Sequence, residues 1–390
     1  MFASLPISPF ILVGLFVIFF LEVIDIRLAQ LLFLLLSSYL IVKVRLSPIL
    51  LLLGTIVLCL TMAVNFVQLE AYLGGIAVLL SLLSAQFIFQ ECSHNPLRLG
   101  VTVVSIWSLV TIYLLINLYF KGDVASSIEG SHNHINTLLL PFFIITSIAL
   151  GKTNTDSNDY KFEVNNKFLL LSYFILALIT FTLSIFMTGR TGLVLGLVGL
   201  LFVWALLRQQ TKLSDFLMFC FCCVGFVSFA QIYLFMELNS GGLIKLLREK
   251  GSEDIRVDIF NHWTSMLPDI TTWFGIPRNY FLSNFGVGSH NSLIQIYETL
   301  GMFGVIFFGL LVICASVSLL LRGRYLISIL FAMLLFRMAT DSVFNSIGIL
   351  TTFWLLIFSA GGDQFARSIL NRQRPIHMIK ANNEKIDYTN

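Results

Sequence analysis

Long apolar stretches separated by short polar connections recur along the whole chain, and they show no period-two alternation. A run of about 20 apolar residues crosses a bilayer as an α-helix, and lipid tolerates only helices or closed barrels. Because barrel strands would alternate, the pattern predicts an all-α polytopic membrane protein. We place about twelve transmembrane helices at 7–24, 28–42, 48–67, 70–90, 99–120, 137–150, 168–187, 191–207, 215–236, 291–321, 325–340 and 346–360.

The distribution of Lys and Arg predicts the orientation of these spans. With the N-terminus inside, 15 of the 24 Lys and Arg residues fall in inner segments, as the positive-inside rule requires. We therefore expect both termini to be cytoplasmic. The chain is interpreted as a single transmembrane domain, 1–362, followed by a basic cytoplasmic tail, 363–390.

One outer loop, 237–290, is long enough to hold structure of its own between spans nine and ten. Its part 241–250 is amphipathic and suits the membrane interface. Ser252 is a plausible N-cap, and apolar residues then recur at helical spacing up to Pro268. The pattern predicts an ordered loop with an amphipathic helix at 253–267, folded back on the membrane surface.

Composition narrows the class of protein. The residues A, V, I, L, M, F, W, Y and C make up 57% of the chain, and charged residues make up only 12%. A soluble domain carries about 25% charged residues. These values exclude a soluble globular enzyme, a disordered chain and a nucleic-acid binder. The net charge of +3 is too small to indicate a polyanionic partner by itself.

Arg190 lies in the sequence MTGRTG between spans seven and eight. So short a connection predicts a tight hairpin, in which Gly189 and Gly192 allow the guanidinium to approach the helix ends. Two interpretations are open: an interfacial arginine that reaches lipid headgroups, or a functional cation on a side where the positive-inside bias disfavours arginine.

Arg256 lies near the start of the predicted amphipathic helix, on the same helical face as Phe260 and Trp263. A guanidinium on that face needs a carboxylate or a phosphate as partner. A salt bridge to a nearby aspartate is one interpretation, and anion binding is the other. The candidate aspartates are Asp254, Asp258 and Asp269.

His290 precedes span ten, with Ser289 as a possible helix cap. A histidine at a helix start is often structural. However, Asn291, Gln295 and Glu298 follow at helical spacing and form a polar stripe, which at membrane depth usually lines a functional cavity. The pKa range of histidine suits a general base for a sugar hydroxyl.

Several other polar residues are weaker candidates. His132 and His134 form an H-x-H pair without further ligands, which is little evidence for a metal, and no aspartate cluster suits Mg²⁺. Arg337 and Asp341 have the spacing of an i,i+4 ion pair. Arg278 is a secondary candidate for anion contact. Glu22, Asp25 and Arg27 predict a local polar cluster at an outer turn.

Two arginines from separate segments and one histidine, all predicted at the outer face, indicate a polyanionic lipid headgroup. A diphosphate carries enough charge for two bidentate arginine contacts. Without a Mg²⁺ site, Arg190 and Arg256 would themselves neutralise a leaving diphosphate.

These features together resemble the bacterial O-antigen polymerase and O-antigen ligase superfamily. MTGRTGLVLGL resembles its S/T-x-R-x-x-L segment and places Arg190. GSEDIRVDIFNHW followed by TTWFGIP resembles its S-x-R-x-x-x-W…G-x-G segment and places Arg256. SHNSLIQIYETLGMFGVI resembles its HN-x-x-L…G-x-x-G segment and places His290, Asn291, Gly301 and Gly304. The motifs cover roughly 170–345. Gly189 replaces the usual serine, and GIPRNY replaces G-x-G.

The resemblance implies a multi-pass glycosyltransferase of the bacterial cell inner membrane that needs neither a metal nor another cofactor. Its donor is a glycan on undecaprenyl diphosphate. Arg190 and Arg256 would hold the donor diphosphate at the periplasmic face, and His290 would activate the acceptor hydroxyl. Membrane lipids and a polysaccharide chain-length regulator are further partners, and nucleic acid is not one.

Three functions are consistent with these features. The first, which the outer-loop sequence favours, is a polymerase that joins lipid-linked repeat units for lipopolysaccharide biosynthesis. The second is an O-antigen ligase that transfers the glycan to lipid A–core. The third is a flippase or secondary transporter of the lipid-linked glycan, although transporters usually show two related halves that this sequence lacks.

Overall fold

The computed structural model describes residues 9–24, 26–43, 48–65, 71–121, 134–153, 160–162, 167–187, 189–208, 255–276, 280–285, 291–341, 343–344 and 346–361. Every predicted span except 215–236 coincides with a helix there. That span, the amphipathic piece 241–250, the cap Ser252 and the tail 363–390 lie outside the described residues.

Several of the described helices begin at a proline. Pro9, Pro48 and Pro96 each occupy the first position of a helix, where the missing N–H is harmless and the fixed φ suits helical backbone. The helices are α1 (Pro9–Ile24), α2 (Ile26–Lys43), α3 (Pro48–Asn65), α4 (Ala71–His94), α5 (Pro96–Lys121), α6 (His134–Leu150), α7 (Lys167–Met187), α8 (Gly189–Arg208), α9 (Ile255–Met266), α10 (Tyr280–Phe285), α11 (Ser292–Leu321), α12 (Tyr325–Thr340) and α13 (Ile347–Gly361), with a 3₁₀ helix at Ile270–Phe274.

One short β ladder was not expected from the sequence. The strands β1 (Gly151–Thr153) and β2 (Tyr160–Phe162) pair antiparallel between α6 and α7, with Lys152 opposite Lys161. Strands of three residues are too short to show a period-two pattern. The fold is helical apart from this ladder in the described part of the chain.

Four described helices are long and apolar enough to cross a membrane: Gly75–His94, Pro96–Asn117, Lys167–Ile185 and Ser292–Leu321. Seven further apolar segments of 10–17 described residues lie in α1, α2, α3, α6, α8, α12 and α13. A membrane protein is therefore supported, while the number of twelve spans and their orientation stay predictions.

The described side chains pack into one large apolar core that involves most of the helices. Aromatic rings fill its centre, and Phe143 contacts Tyr173, Phe181 and Phe202 there. Polar groups within this core also pair with each other, as in the bond from Trp107 Nε1 to Thr180 Oγ1 at 3.1 Å.

The predicted tight hairpin between spans seven and eight is confirmed. Helix α7 ends at Met187 and α8 begins at Gly189. Gly196 and Gly199 lie so close to α7 that a Cβ atom at either position would overlap Ile185 or Phe181. These glycines bring the two helices together and leave Arg190 as the second residue of α8.

Side-chain bonds connect helix ends in two groups. At one end, Glu22 of α1 bonds to the start of α13, and Ser292 at the start of α11 bonds to the residues that follow α12. At the other end, Arg98 of α5 pairs with Glu91 of α4, and Arg322 and Arg324 donate to the last carbonyls of α13. Each bond joins ends that an alternating topology predicts on the same side.

Candidate functional site

The three principal candidates lie at or immediately before the start of a helix. Arg190 and Arg256 are the second residues of α8 and α9, and their side chains lie outside the described part. His290 lies outside the described residues and directly precedes Asn291, where α11 is capped. Arg278 and His132 also lie outside the described residues.

The start of α11 is fixed by its own polar residues. Asn291, rather than Ser289, is the N-cap, because its extended backbone lets the side-chain oxygen accept the Leu293 N–H at 2.7 Å. Ser292 Oγ donates to the Asp341 carbonyl at 2.9 Å and accepts the Val343 N–H at 3.1 Å. Ser292, two residues after His290, is thus held against the α12–α13 connection.

Two members of the predicted polar stripe on α11 have a structural role. The side-chain oxygen of Gln295 accepts the Phe344 N–H at 2.8 Å, so it satisfies a backbone donor of the same connection. Glu298 is half-buried one turn further along the helix. Asn291 and Gln295 therefore hold backbone, and they position the start of α11.

Helix α11 is broken at Gly301, which has φ +68° and ψ −171°. Ser292 and Phe308 lie on opposite sides of this break, and both contact the α12–α13 connection, Phe308 through an edge-to-face contact with Phe344 at 5.2 Å. In a straight helix these two residues would lie about 24 Å apart. The first segment, 292–300, is therefore not collinear with the second, 302–321.

The predicted amphipathic helix is confirmed as α9, and it packs against the first segment of α11. Trp263 contacts Tyr297 edge to face at 6.0 Å. The other buried members of this small core are Ile259, Ile276, Phe281 and Ile294. Phe260, expected on the buried face, is instead 44% exposed. The packing attaches the helix that carries Arg256 to the segment that follows His290.

A histidine–tyrosine pair beside this small core was not predicted from the sequence. His262 Nε2 lies 3.1 Å from the Tyr280 hydroxyl, and their rings stack in parallel. The pair connects α9 to α10 across residues that are distant in sequence. No spacing rule marks it, because His262 is simply the residue before Trp263 on an amphipathic helix.

The predicted ion pair of Arg337 and Asp341 is confirmed at 3.0 Å, and Arg337 is fully buried. Its second terminal nitrogen donates to Thr137 Oγ1 of α6 at 2.6 Å. A buried guanidinium requires such partners, because its desolvation is otherwise uncompensated. Arg337 thus connects α12, α6 and the α12–α13 connection.

Glu22 caps the start of α13, a role that its predicted local cluster with Asp25 and Arg27 did not include. Its carboxylate accepts the N–H groups of Ile347 at 2.6 Å and Gly348 at 3.2 Å, and the Ser346 hydroxyl at 3.1 Å. A carboxylate at a helix N-terminus accepts hydrogen bonds from N–H groups that have no partner within the helix, and it interacts favourably with the helix dipole. The side chains of Asp25 and Arg27 lie outside the described part.

We expect Glu22→Gln to lower the free energy of unfolding by about 1–2 kcal/mol, because the amide keeps the shape but replaces one accepting oxygen by an NH₂ group that cannot accept the Ile347 or Gly348 N–H. Glu22→Ala should have a larger effect, since the amides of Ile347 and Gly348 then lose their acceptor. Thermal unfolding in detergent, followed by size-exclusion chromatography, measures both. Gln30→Ala, at an exposed site on α2, is the control. Unchanged stability of Glu22→Ala would contradict this cap.

Comparison of the chain with family models, curated proteins and solved structures gives no match. Among the described residues, no group of three or more His, Cys, Asp or Glu side chains is placed to hold a metal ion. The candidate site consists of three helix starts that carry or follow the candidate cations and imidazole, and two of these helices contact each other through Trp263 and Tyr297.

Proposed function

We propose that the protein is an O-antigen polymerase, an integral-membrane glycosyltransferase of the bacterial inner membrane. It joins undecaprenyl-diphosphate-linked repeat units at the periplasmic face, with twelve spans and both termini in the cytoplasm. The observation that carries the proposal is the ordered set of three motifs around Arg190, Arg256 and His290.

The packing of α9 and the 3₁₀ helix against α11 supports this proposal. Trp263, from the second motif, contacts Tyr297, from the third motif. Gly301, also from the third motif, lies against the backbone of the TTWFGIP part of the second motif, at Trp273 and Phe274 of the 3₁₀ helix. Two segments that the resemblance groups only by order along the chain are therefore in physical contact.

The proposed reaction is a direct displacement. The acceptor hydroxyl oxygen bonds to the anomeric carbon of the donor glycan as the bond from that carbon to the diphosphate oxygen breaks. His290 takes the hydroxyl proton, and undecaprenyl diphosphate leaves. Arg190 and Arg256 stabilise the charge that grows on the diphosphate, which is the role a metal ion has in other transferases. Attack from the opposite face inverts the anomeric centre.

The proposal is tested with purified protein in lipid nanodiscs and a purified undecaprenyl-diphosphate-linked repeat unit. We expect a ladder of glycan lengths on electrophoresis, unchanged in EDTA because the arginines act without a metal. A ladder abolished by EDTA and restored by Mg²⁺ would contradict the roles given to Arg190 and Arg256.

Two additions to the assay separate the other functions. Transfer of preformed glycan to lipid A–core, without any ladder, would identify a ligase. Movement of the lipid-linked unit across the membrane of proteoliposomes, without new glycosidic bonds, would identify a transporter. A deletion strain adds an independent readout: loss of a polymerase leaves one repeat on lipid A–core, whereas loss of a ligase leaves long glycan on the lipid carrier.

A further inference from the structure

The surface of α9 is divided into three parts. Ile259 and Trp263 are buried in the protein, and 100° of rotation per residue places the other side chains on two distinct flanks. Val257 and Phe260, with the partly exposed Thr264 between them, form a mainly apolar flank, and their exposed fractions are 51% and 44%. Exposed polar residues form the other flank: Asp258, Asn261 and Ser265.

The 3₁₀ helix also exposes an apolar side chain. Phe274 is 45% exposed, and its ring lies 6.1 Å from that of Phe303 on α11. Trp273 contacts the same Phe303 ring, and its indole N–H is satisfied by the Leu267 carbonyl at 2.9 Å. Phe303 is itself 44% exposed. The 3₁₀ helix and α11 therefore share one exposed aromatic surface.

Phe303 is the first residue of an exposed apolar stripe on α11. Exposed apolar residues recur there at intervals of three or four, the spacing of one helical face. From its first to its last member the stripe is about 26 Å long, close to the thickness of a hydrocarbon core. Its members are Phe303, Ile306, Leu310, Ile313, Val317 and Leu320.

We infer that the apolar flank of α9 and the 3₁₀ helix are inserted into the lipid bilayer, at the boundary between its acyl chains and its headgroups. The exposed stripe on α11 has the length of a hydrocarbon core, so acyl chains are the partner that fits it, and Phe274 adjoins the stripe through its ring contact with Phe303. Water would be a poor partner for exposed aromatic rings on adjacent elements. The polar flank of α9 then faces the aqueous side, as in an interfacial amphipathic helix.

This insertion goes beyond the proposed reaction and does not depend on it. It places the backbone of Arg256 at headgroup depth, because Arg256 is one residue from Val257 on the same helix. An anionic lipid headgroup would therefore reach that level by lateral diffusion within the outer leaflet.

The test uses the photoreactive amino acid p-benzoyl-phenylalanine in the full-length protein, reconstituted in phosphatidylethanolamine–phosphatidylglycerol vesicles. It replaces Phe260 or Phe274, with Asn261 as the matched polar-flank control and Ile313 as the positive control within the stripe. After irradiation, mass spectrometry detects the adducts. We expect lipid adducts from positions 260, 274 and 313, and at least tenfold less from position 261.

Protein adducts at positions 260 and 274 would overturn the inference. Adducts to residues 209–254 would show that another segment of this chain covers the surface, and adducts to a second copy would show an oligomer interface. Equal lipid labelling at 260 and 261 would also overturn it. A second measurement compares Phe260→Trp with Asn261→Trp: brominated phosphatidylcholine should quench the fluorescence of the first variant more strongly, and equal quenching would contradict insertion.

Discussion

Replacing Gly301 by alanine is expected to destabilise the protein by about 3–5 kcal/mol, a sum of two effects. The backbone of Gly301, at φ +68° and ψ −171°, lies in a region that only glycine populates readily. A Cβ atom there would also overlap the Trp273 carbonyl oxygen, which is a rigid backbone atom of the 3₁₀ helix. Thermal unfolding in detergent, with the yield of monodisperse protein, measures the loss.

Two other glycines separate these effects. Gly309 lies on the same helix, and a Cβ atom added there would have no neighbour within 4 Å, so Gly309→Ala should be neutral or slightly stabilising. Gly323 has φ +65° in open space, so Gly323→Ala should show the backbone strain alone, about 1–2 kcal/mol. Gly301→Ala as mild as Gly323→Ala would mean that the 3₁₀ helix does not rest against α11.

Gly323 has a positive φ because it ends α11 in a Schellman motif. Its N–H bonds to the Leu320 carbonyl, and the Arg324 N–H bonds to the Leu319 carbonyl. The sequence LRGR thus marks a helix end that an apolar run alone would not reveal. Gly301 carries no such local mark, because apolar residues continue on both sides of it.

The positions of the helices could be predicted because each depends on local sequence. An apolar run, its length and a proline or polar residue at its boundary decide where a membrane helix lies. The amphipathic helix α9 was predictable on the same basis, since Ile259 and Trp263 recur at helical spacing. The i,i+4 pair of Arg337 and Asp341 is local as well.

The polar contacts that hold the site could not be predicted, because their partners are distant in the chain. Glu22 caps a helix that begins at Ile347, and Gln295 accepts a backbone donor from Phe344. Sequence spacing favoured a cavity-lining role for Gln295 and a local cluster for Glu22. The orphan N–H groups that these side chains satisfy belong to the α12–α13 connection, and only the fold brings them together.

The exposure of Phe260 shows a second limit of prediction from the sequence. Its spacing from Trp263 fits one apolar face, yet Trp263 is buried against Tyr297 while Phe260 remains exposed. A hydrophobic pattern cannot separate apolar residues that face protein from those that face lipid, since both environments favour the same side chains. The exposure of Phe260 depends on how Trp263 packs against Tyr297, a contact between residues from separate segments.

The proposed chemistry predicts large losses of activity at the candidate residues. His290→Ala should lower the rate of polymerisation by about 10²–10⁴-fold, because a positioned base contributes a factor of that size. Arg256→Lys should lower it by about 10²–10³-fold, since lysine keeps the charge but loses the bidentate contact with a diphosphate. Single-turnover rates with the lipid-linked repeat unit measure both effects.

Control substitutions of a histidine and an arginine in the other group of helix ends show whether these losses of activity are specific to the candidate residues. His94 lies at the end of α4, and Arg322 donates to the Gly361 carbonyl at the end of α13. His94→Ala and Arg322→Lys should retain near-normal rates, because neither residue belongs to the group of helix ends that holds the start of α11. Stability must be measured in parallel, so that a rate is compared only between folded variants.

The pattern of losses also distinguishes a structural Arg256 from one that binds the donor. If Arg256 only pairs with a neighbouring aspartate, Arg256→Lys should keep most of the activity, because an exposed ion pair contributes little and lysine can form it. If it binds the diphosphate, the rate should fall while the melting temperature stays the same. Full ladders from both His290→Ala and Arg256→Lys would remove the catalytic roles proposed here for these two residues.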